Sequence, residues 1–382
     1  MSSWITCKLG DIANINMGQS PPSTSYNEEG IGMKFYQGRI DFCFKYVLPR
    51  VYTTNPKKIA NPGDILLTVR APVGDLNITK DECCIGRGIA SLRMKNHLQD
   101  FLYFLLKHYS SYWVNTSTGS VFSSINKRDI DELTIRIPTS SDEQKQIASI
   151  LSSLDDKIEL NLEMNKTLEE MAMAIYKEWF VDFGPFREGE FVDSELGPIP
   201  KGWEVKKIRD ITKLHYGKAL REKDRIHGAV PVYGSSGVIG YHNHSIVVGP
   251  SLIIGRKGNV GSIYWENNNS FPIDTVYYIN HVPLYSLIHL YFKFLTTDFI
   301  SRNSDSVVPG LNRKMAEDDP IIIPCRNVYN RFVDIVYPLF ELKFSNLNEN
   351  KKLIETRDYL LPKLISGEVR VKSSEEKLKE VL

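Results

Sequence analysis

The sequence predicts an α+β protein: two pseudo-twofold-related globular domains separated by an antiparallel two-helix coiled coil. One observation behind this is a long internal repeat. Trp4 followed by "KLGDI" (Lys8 to Ile12) returns as Trp203 followed by "KIRDI" (Lys207 to Ile211), a constant offset of 199. "SVFSSINKRDIDELTIRIP" from Ser120 returns as "SVVPGLNRKMAEDDPIIIP" from Ser306, an offset of 186. Solenoid units recur every 20–50 residues, so this repeat is of whole domains. The other observation is that a long helix-patterned segment follows each copy.

The first domain spans residues 1–141. Short apolar runs such as "ILLTV" (Ile65 to Val69) and "LTIRI" (Leu133 to Ile137), bounded by Gly, Pro, Asn and Asp, read as strands and turns. One helix, Asp100 to Tyr112, is apolar over most of its circumference and so is expected to be buried. The central long helix covers 142–182. Ser141 before Asp142 and Glu143 suits a capped, dipole-matched start. Its seam alternates four and three through Ile147, Leu151, Leu154, Ile158, Asn161, Asn165, Leu168, Ala172, Ile175 and Trp179. The two asparagine layers are expected to fix register at a cost in stability.

Residues 183–199, with Pro, Gly and acidic side chains, read as a linker. The second domain, 200–325, repeats the strand pattern in "SLIIG" and "PIIIP" and has its own buried helix, Leu284 to Phe299. The C-terminal long helix covers 326–367, with a looser seam of Val333, Val336, Phe340, Phe344, Leu347, Asn350, Ile354 and Leu361. Pro338 is expected to kink or delay it. At ~1.5 Å per residue, helices of this length make a rod of about 55 Å, which would hold the two globules apart. Residues 368–382 form a charged tail.

Composition is that of an ordinary folded protein, 42% hydrophobic and 24% charged. The formal charge of +1 hides a segregation. Residues 1–141 hold 16 basic against 12 acidic side chains and 200–325 hold 15 against 11, so each globule is +4. Residues 142–199 hold 5 against 14. Basic globules around an acidic segment fit a nucleic-acid partner. No run approaches 18 apolar residues, so no membrane partner is expected. The N-terminus lacks signal-peptide regions, and five irregularly spaced cysteines suit a reducing cytoplasm. Cys83 and Cys84 sit in a strand-like run as small core hydrophobes.

Catalytic signatures are missing. The glycines of "YGSSGVIGYHNH" (Tyr233 to His244) match neither a dinucleotide nor a phosphate-loop spacing. His242 and His244 have no Cys or carboxylate at ligand spacing. There is no nucleophile elbow, zinc helix or base-methylation tetrad, and "NPGD" at Asn61 is a turn. Binding and scaffolding is the expected role. The repeated loops are where recognition could reside. Arg70 ends the strand of "GDILLTVRAPVG", and Arg256 ends that of "GPSLIIGRKGNVG". Such an arginine can meet phosphate or guanine, or it can be structural. "FYQGRID" offers Tyr36, Gln37 and Arg39, while "INKRD" and "LNRKM" place Asn126-Lys127 and Asn312-Arg313 at matching points. Turn formation explains those asparagines equally well.

These residues resemble a known family. "TNPKKIANPGDILLTVRAPVGDLNI", "CCIGRGIA", "GPSLIIGRKGNVGS" and the linker "FVDSELGPIPKGW" are similar to DNA specificity subunits of type I restriction-modification systems. The resemblance implies that the globules are target recognition domains, each reading one half of a bipartite, asymmetric site in double-stranded DNA while the coiled coil sets the spacer. It implies a non-catalytic chain working with two methylation subunits and with restriction subunits. S-adenosylmethionine, ATP and Mg2+ would sit on those partners, and this chain would hold no cofactor. The expected DNA-contacting residues are Gln19, Tyr36, Gln37, Arg39, Arg70, Arg87, Asn126 and Lys127 in the first domain. In the second they are Lys218, Tyr233, Ser235, Tyr241, Arg256, Lys257, Asn259, Asn312 and Arg313. Rival readings are a type IIB-like specificity subunit, a fused DNA methyltransferase-nuclease and a plain DNA-binding regulator.

Overall fold

A computed structural model describes residues 3–110, 112–113, 124–282, 286–299 and 310–371. The openings of the second repeat string (120–123 and 306–309), the first two residues of the expected helix at Leu284 and the tail beyond 371 lie outside these residues. The chain divides into two compact units, one of residues 1–163 with 347–382 and the other of 164–346.

In the first unit Trp4–Lys8 pairs antiparallel with Thr134–Pro138, so the domain's first and last strands clasp each other. The short helix Leu9–Ile12 follows, and the Lys8 N–H donates to the Asp11 carboxylate (2.9 Å). A four-stranded sheet runs in the order Ala13–Met17, Ile89–Met94, Ile65–Thr68, Leu76–Ile78. A second, five-stranded sheet contains a parallel pair, Met33–Tyr36 beside Cys83–Ile85. Ile65–Thr68 is buried throughout, which explains why three apolar residues, Ile65 to Leu67, follow one another without alternation. The helix Gln99–His108 buries six consecutive residues, Phe101 to Leu106.

The second unit repeats this topology. Glu204–Lys207 pairs with Pro320–Ile323, and the Asp210 carboxylate takes the Lys207 N–H (3.1 Å). The conserved spelling Lys-x-x-Asp-Ile in both copies is therefore a capped helical turn. A four-stranded sheet follows in the matching order His215–Tyr216, Val276–Ile279, Ser251–Gly255, Ile263–Glu266. A smaller sheet again holds a parallel pair, Val230–Gly234 beside Phe271–Pro272. The buried helix is Leu287–Leu295.

Two long helices, Ser141–Phe180 and Arg326–Ser366, each contribute to both units. Within each unit they run antiparallel. In the first, Asn161 Nδ2 donates to Asn350 Oδ1 (2.8 Å) and Arg357 Nη1 to Asp155 Oδ1 (2.7 Å). In the second, Asn346 Nδ2 donates to Asn165 Oδ1 (2.9 Å), and Lys343 pairs with Glu169 (3.0 Å). Leu151 and Leu154 are fully buried between these elements, so truncating either to alanine costs about 2–5 kcal/mol.

Three helix expectations are corrected. Arg326–Ser366 begins twelve residues ahead of Pro338 and continues past it, so the proline does not delay the helix; its ring is exposed, and water can take the carbonyl left without an N–H partner. Of the second helix's expected seam, Val336, Phe340, Asn350 and Leu361 are buried, and Asn346, Leu353, Arg357, Leu360 and Leu364 are buried with them. Leu347 is 43% exposed and Ile354 only half-buried. In the central helix the last seam positions are Tyr176 and Phe180, not Ile175 and Trp179. There the helix stops facing a narrow coiled-coil seam and meets an aromatic core that includes Phe292 and Phe332. Among the described residues no helix is long and apolar enough to cross a membrane.

Candidate nucleic-acid interface

In both domains the repeated loops converge at one end of the four-stranded sheet. In the first, the Val69 N–H donates to Gly88 O (2.9 Å) and the Ile125 N–H to Val69 O (3.0 Å). The Gln19 N–H donates to Ile85 O (2.9 Å), and the Arg87 N–H to Ser20 Oγ (3.2 Å). A Cβ at Gly88 would lie 2.3 Å from Gln37 O, so that loop is also in contact. These bonds bring Gln19, Gln37, Arg70, Arg87 and Lys127 together, all exposed. Arg70, Arg87 and Lys127 have no ion-pair partner among the described residues.

The second domain is tied in the same way. The Arg256 N–H donates to Thr275 O (2.9 Å), the Leu311 N–H to Arg256 O (2.8 Å) and the Lys218 N–H to Pro272 O (3.1 Å). Gly18 and Gly217 mark the same close approach. A Cβ on either would come within 2.1 Å of a carbonyl oxygen, of Gly86 in one domain and Ile273 in the other.

Strand register corrects one equivalence. Met17 pairs with Ala90 and Leu67 with Ala90; Tyr216 pairs with Tyr277 and Ile254 with Tyr277. Counting along from these pairs, Arg256 stands where the first domain has Val69, and Arg70 matches Lys257. The second string is one residue longer between its leading glycine and its loop, so aligning the glycines slips the register by one.

Several expected contact residues prove to have structural work. Tyr36 is buried, and burial pushes its phenol well above the usual range. Tyr233 is buried too and donates to Glu266 Oε2 (2.8 Å); burial first and Glu266 second raise its pKa. The buried Ser235 links loops through its carbonyl, which accepts from Ser262 Oγ (2.7 Å). Asn126 Oδ1 accepts the N–H groups of Arg128 (2.8 Å) and Asp129 (3.2 Å), and Asn312 Oδ1 that of Met315 (3.2 Å). Both asparagines are N-caps. Arg39 pairs with Asp75 (2.9 Å) and Arg313 with Glu317 (3.0 Å). Asn259 Nδ2 donates to Ser236 Oγ (3.2 Å). Tyr241 is exposed but pairs with Pro231, at the far end of its hairpin from Ser235. Lys218 and Lys257 are exposed. His242 is buried, and its Nδ1 accepts the Ile226 N–H (3.0 Å). Among the described residues no three His, Cys, Asp or Glu side chains are placed to hold a metal.

Arg256 has surroundings that its sequence context does not announce. Its guanidinium carbon lies 5.0 Å from the Tyr216 ring centre and 5.7 Å from that of Tyr277. Its Nη1 donates to Asp274 O (3.2 Å). Tyr277 donates to Leu311 O (2.9 Å); burial, then Tyr216, pushes its pKa up to about 12. The only sequence clue to Tyr216 is its place directly before the repeated glycine, where the first copy has Met17.

Duplicated α+β domains, each hung on two long helices and each gathering basic loops, define a paired-domain recognition protein. The comparisons make this specific. The family model described as "Type I restriction modification DNA specificity domain" matches residues 1–170 and 200–356, and the chain belongs to that family. It is 33% identical to the specificity subunit of type I restriction enzyme MjaIX of Methanocaldococcus jannaschii, over 96% of this chain and 94% of that one. It is 25% identical to the HindI specificity subunit of Haemophilus influenzae, over 71% of this chain and 78% of that one. Its fold matches the crystal structure of a type I restriction-modification S subunit from M. genitalium (TM-score 0.60, 17% identity, 95% of this chain and 96% of that one).

Proposed function

We propose that this specificity subunit reads a bipartite, asymmetric sequence in double-stranded DNA, one half-site per domain. Methylation subunits, two per chain, then carry out adenine N6 methylation with S-adenosylmethionine. Restriction subunits add ATP- and Mg2+-dependent cleavage, and this chain contributes no catalytic group. One observation carries the reading: two matched backbone frames gather the same loops but present different side chains. Gln19, Arg70 and Arg87 stand in one, and Lys218, Arg256 and Lys257 in the other. Unpaired lysines and arginines supply phosphate contacts and salt-dependent affinity, and a few side chains per domain supply sequence.

The test is to map methylated adenines in DNA exposed to the assembled complex. Arg70→Ala is expected to relax or abolish one half of the recognised motif and Arg256→Ala the other. Small, equal losses on every DNA sequence would remove the base-reading role. Methylation or cleavage by the purified chain alone would remove the non-catalytic one.

A further inference from the structure

We infer that Tyr216 is a specificity-positioning residue of the second domain, holding the Arg256 guanidinium for bidentate contact with the O6/N7 edge of a guanine. This rests on the DNA-reading role proposed above and names the chemistry of one position in it. Arg256 lies against two aromatic rings, 5.0 Å from Tyr216 and 5.7 Å from Tyr277, which themselves meet at 5.0 Å and 63°. Its Nη1 is committed to a backbone carbonyl, and no carboxylate lies within ion-pair distance among the described residues. The result is a planar, charged fork with little rotamer freedom and acceptors still to find. Phosphate binding needs no such bracing, since a flexible ammonium serves, and the exposed Lys218 and Lys257 stand beside it for that. A braced guanidinium suits discrimination between bases.

A second guanidinium, Arg313, lies 5.6 Å from the Tyr216 ring. It is neutralised by Glu317, whose carboxylate also accepts the Leu214 N–H (3.0 Å). Arg313 therefore helps fix the ring and leaves Arg256 as the uncompensated charge. The first domain has Met17, Val69 and Ala90 at the register positions of Tyr216, Arg256 and Tyr277. The arrangement belongs to the second domain alone.

The experiment uses the full chain assembled with its methylation subunits. Methylated-adenine mapping is combined with the salt dependence of binding to non-specific DNA for Arg256→Ala, Arg256→Lys, Tyr216→Leu and Tyr216→Phe. Arg256→Ala and Tyr216→Leu are expected to relax the same single guanine position, in one half-site only, by about tenfold. Tyr216→Phe keeps the ring and is expected to preserve the motif. The salt slope should not change. If Arg256→Ala relaxes the motif and Tyr216→Leu does not, positioning by Tyr216 fails while DNA reading stands. If Arg256→Ala leaves the motif intact and lowers the salt slope by about one phosphate, Arg256 is a phosphate ligand and the inference fails. Should Tyr216→Leu melt early, Arg256→Lys carries the test. It keeps the charge but loses the fork, so an unchanged motif would overturn the proposal.

Discussion

Single side chains show most sharply what burial does to a polar group. His289 is 2% exposed, stacks on Phe180 at 4.6 Å, and its Nε2 has no hydrogen-bond partner among the described residues. Burial first, then Lys293, pulls its pKa down to about 3. The unfolded value is ~6.5, so between these limits the unfolded chain takes up a proton that the native chain refuses. Stability is complete above pH ~6.5 and falls as pH drops towards 3, by up to about 1.4 kcal/mol per unit. Melting temperatures of wild type and His289→Leu, compared at pH 7.5 and 5.5, check this. The variant should lose much of the pH dependence, and parallel profiles would count against it. Burial is also what the sequence does not display at this level. Tyr36 and Tyr233 look like binding residues in a string of letters, yet Tyr36 ends its strand, Tyr233 stands one residue before the end of its own, and both are buried. Which face a strand residue takes depends on register, and register depends on partners far along the chain. Asn126 and Asn312 were ambiguous because a cap and a base contact call for the same amide.

Among elements, the long helices were largely readable from their apolar spacing. The central seam is buried from Ile147 to Ala172 as its pattern implies. In the second seam Val336, Phe340, Asn350 and Leu361 are buried as their spacing implies, but two further buried positions are Asn346 and Arg357. An apolar search steps past these two to Leu347 and Ile354. Arg357 with Asp155 forms a buried charged layer, with Lys107 Nζ also 3.5 Å from Asp155. Removing Arg357 leaves the fully buried Asp155 with only the longer contact to Lys107. Arg357→Leu should lower unfolding free energy by about 3–5 kcal/mol, and Asp155→Leu with Arg357→Leu should recover much of it. Denaturant titration reads both, and a double variant as unstable as the single one would contradict the account. The asparagine layers are imperfect as well, since Asn161 Oδ1 and Asn165 Nδ2 have no partner among the described residues. Such groups lower stability and, in exchange, disfavour other registers.

Across the whole molecule, the duplication was the most readable feature. Strand order, parallel pair, capped turn and close-approach glycine all recur between the domains. What the repeat concealed was its own one-residue slip, visible only once hydrogen bonds fix which residues lie side by side. The two helices also suggest a ruler. Four residues inserted beside Asn165, with four matched beside Asn346, add about 6 Å of helix, close to two base-pair steps. The preferred spacer between half-sites is expected to lengthen by one or two base pairs in a methylation assay, and an unchanged spacer would argue against the ruler.

The clasp that closes each domain has an evolutionary meaning. Because Trp4–Lys8 lies against Thr134–Pro138, and Glu204–Lys207 against Pro320–Ile323, each domain enters and leaves its frame at a single doorway. Everything between the two sides of that doorway is a cassette. On the reading proposed above, a recombination event that exchanged one cassette for a relative's would change half of the specificity in a single step and leave the helices untouched. A lineage carrying such a gene would then acquire new DNA targets by shuffling, without waiting for point mutations in the loops.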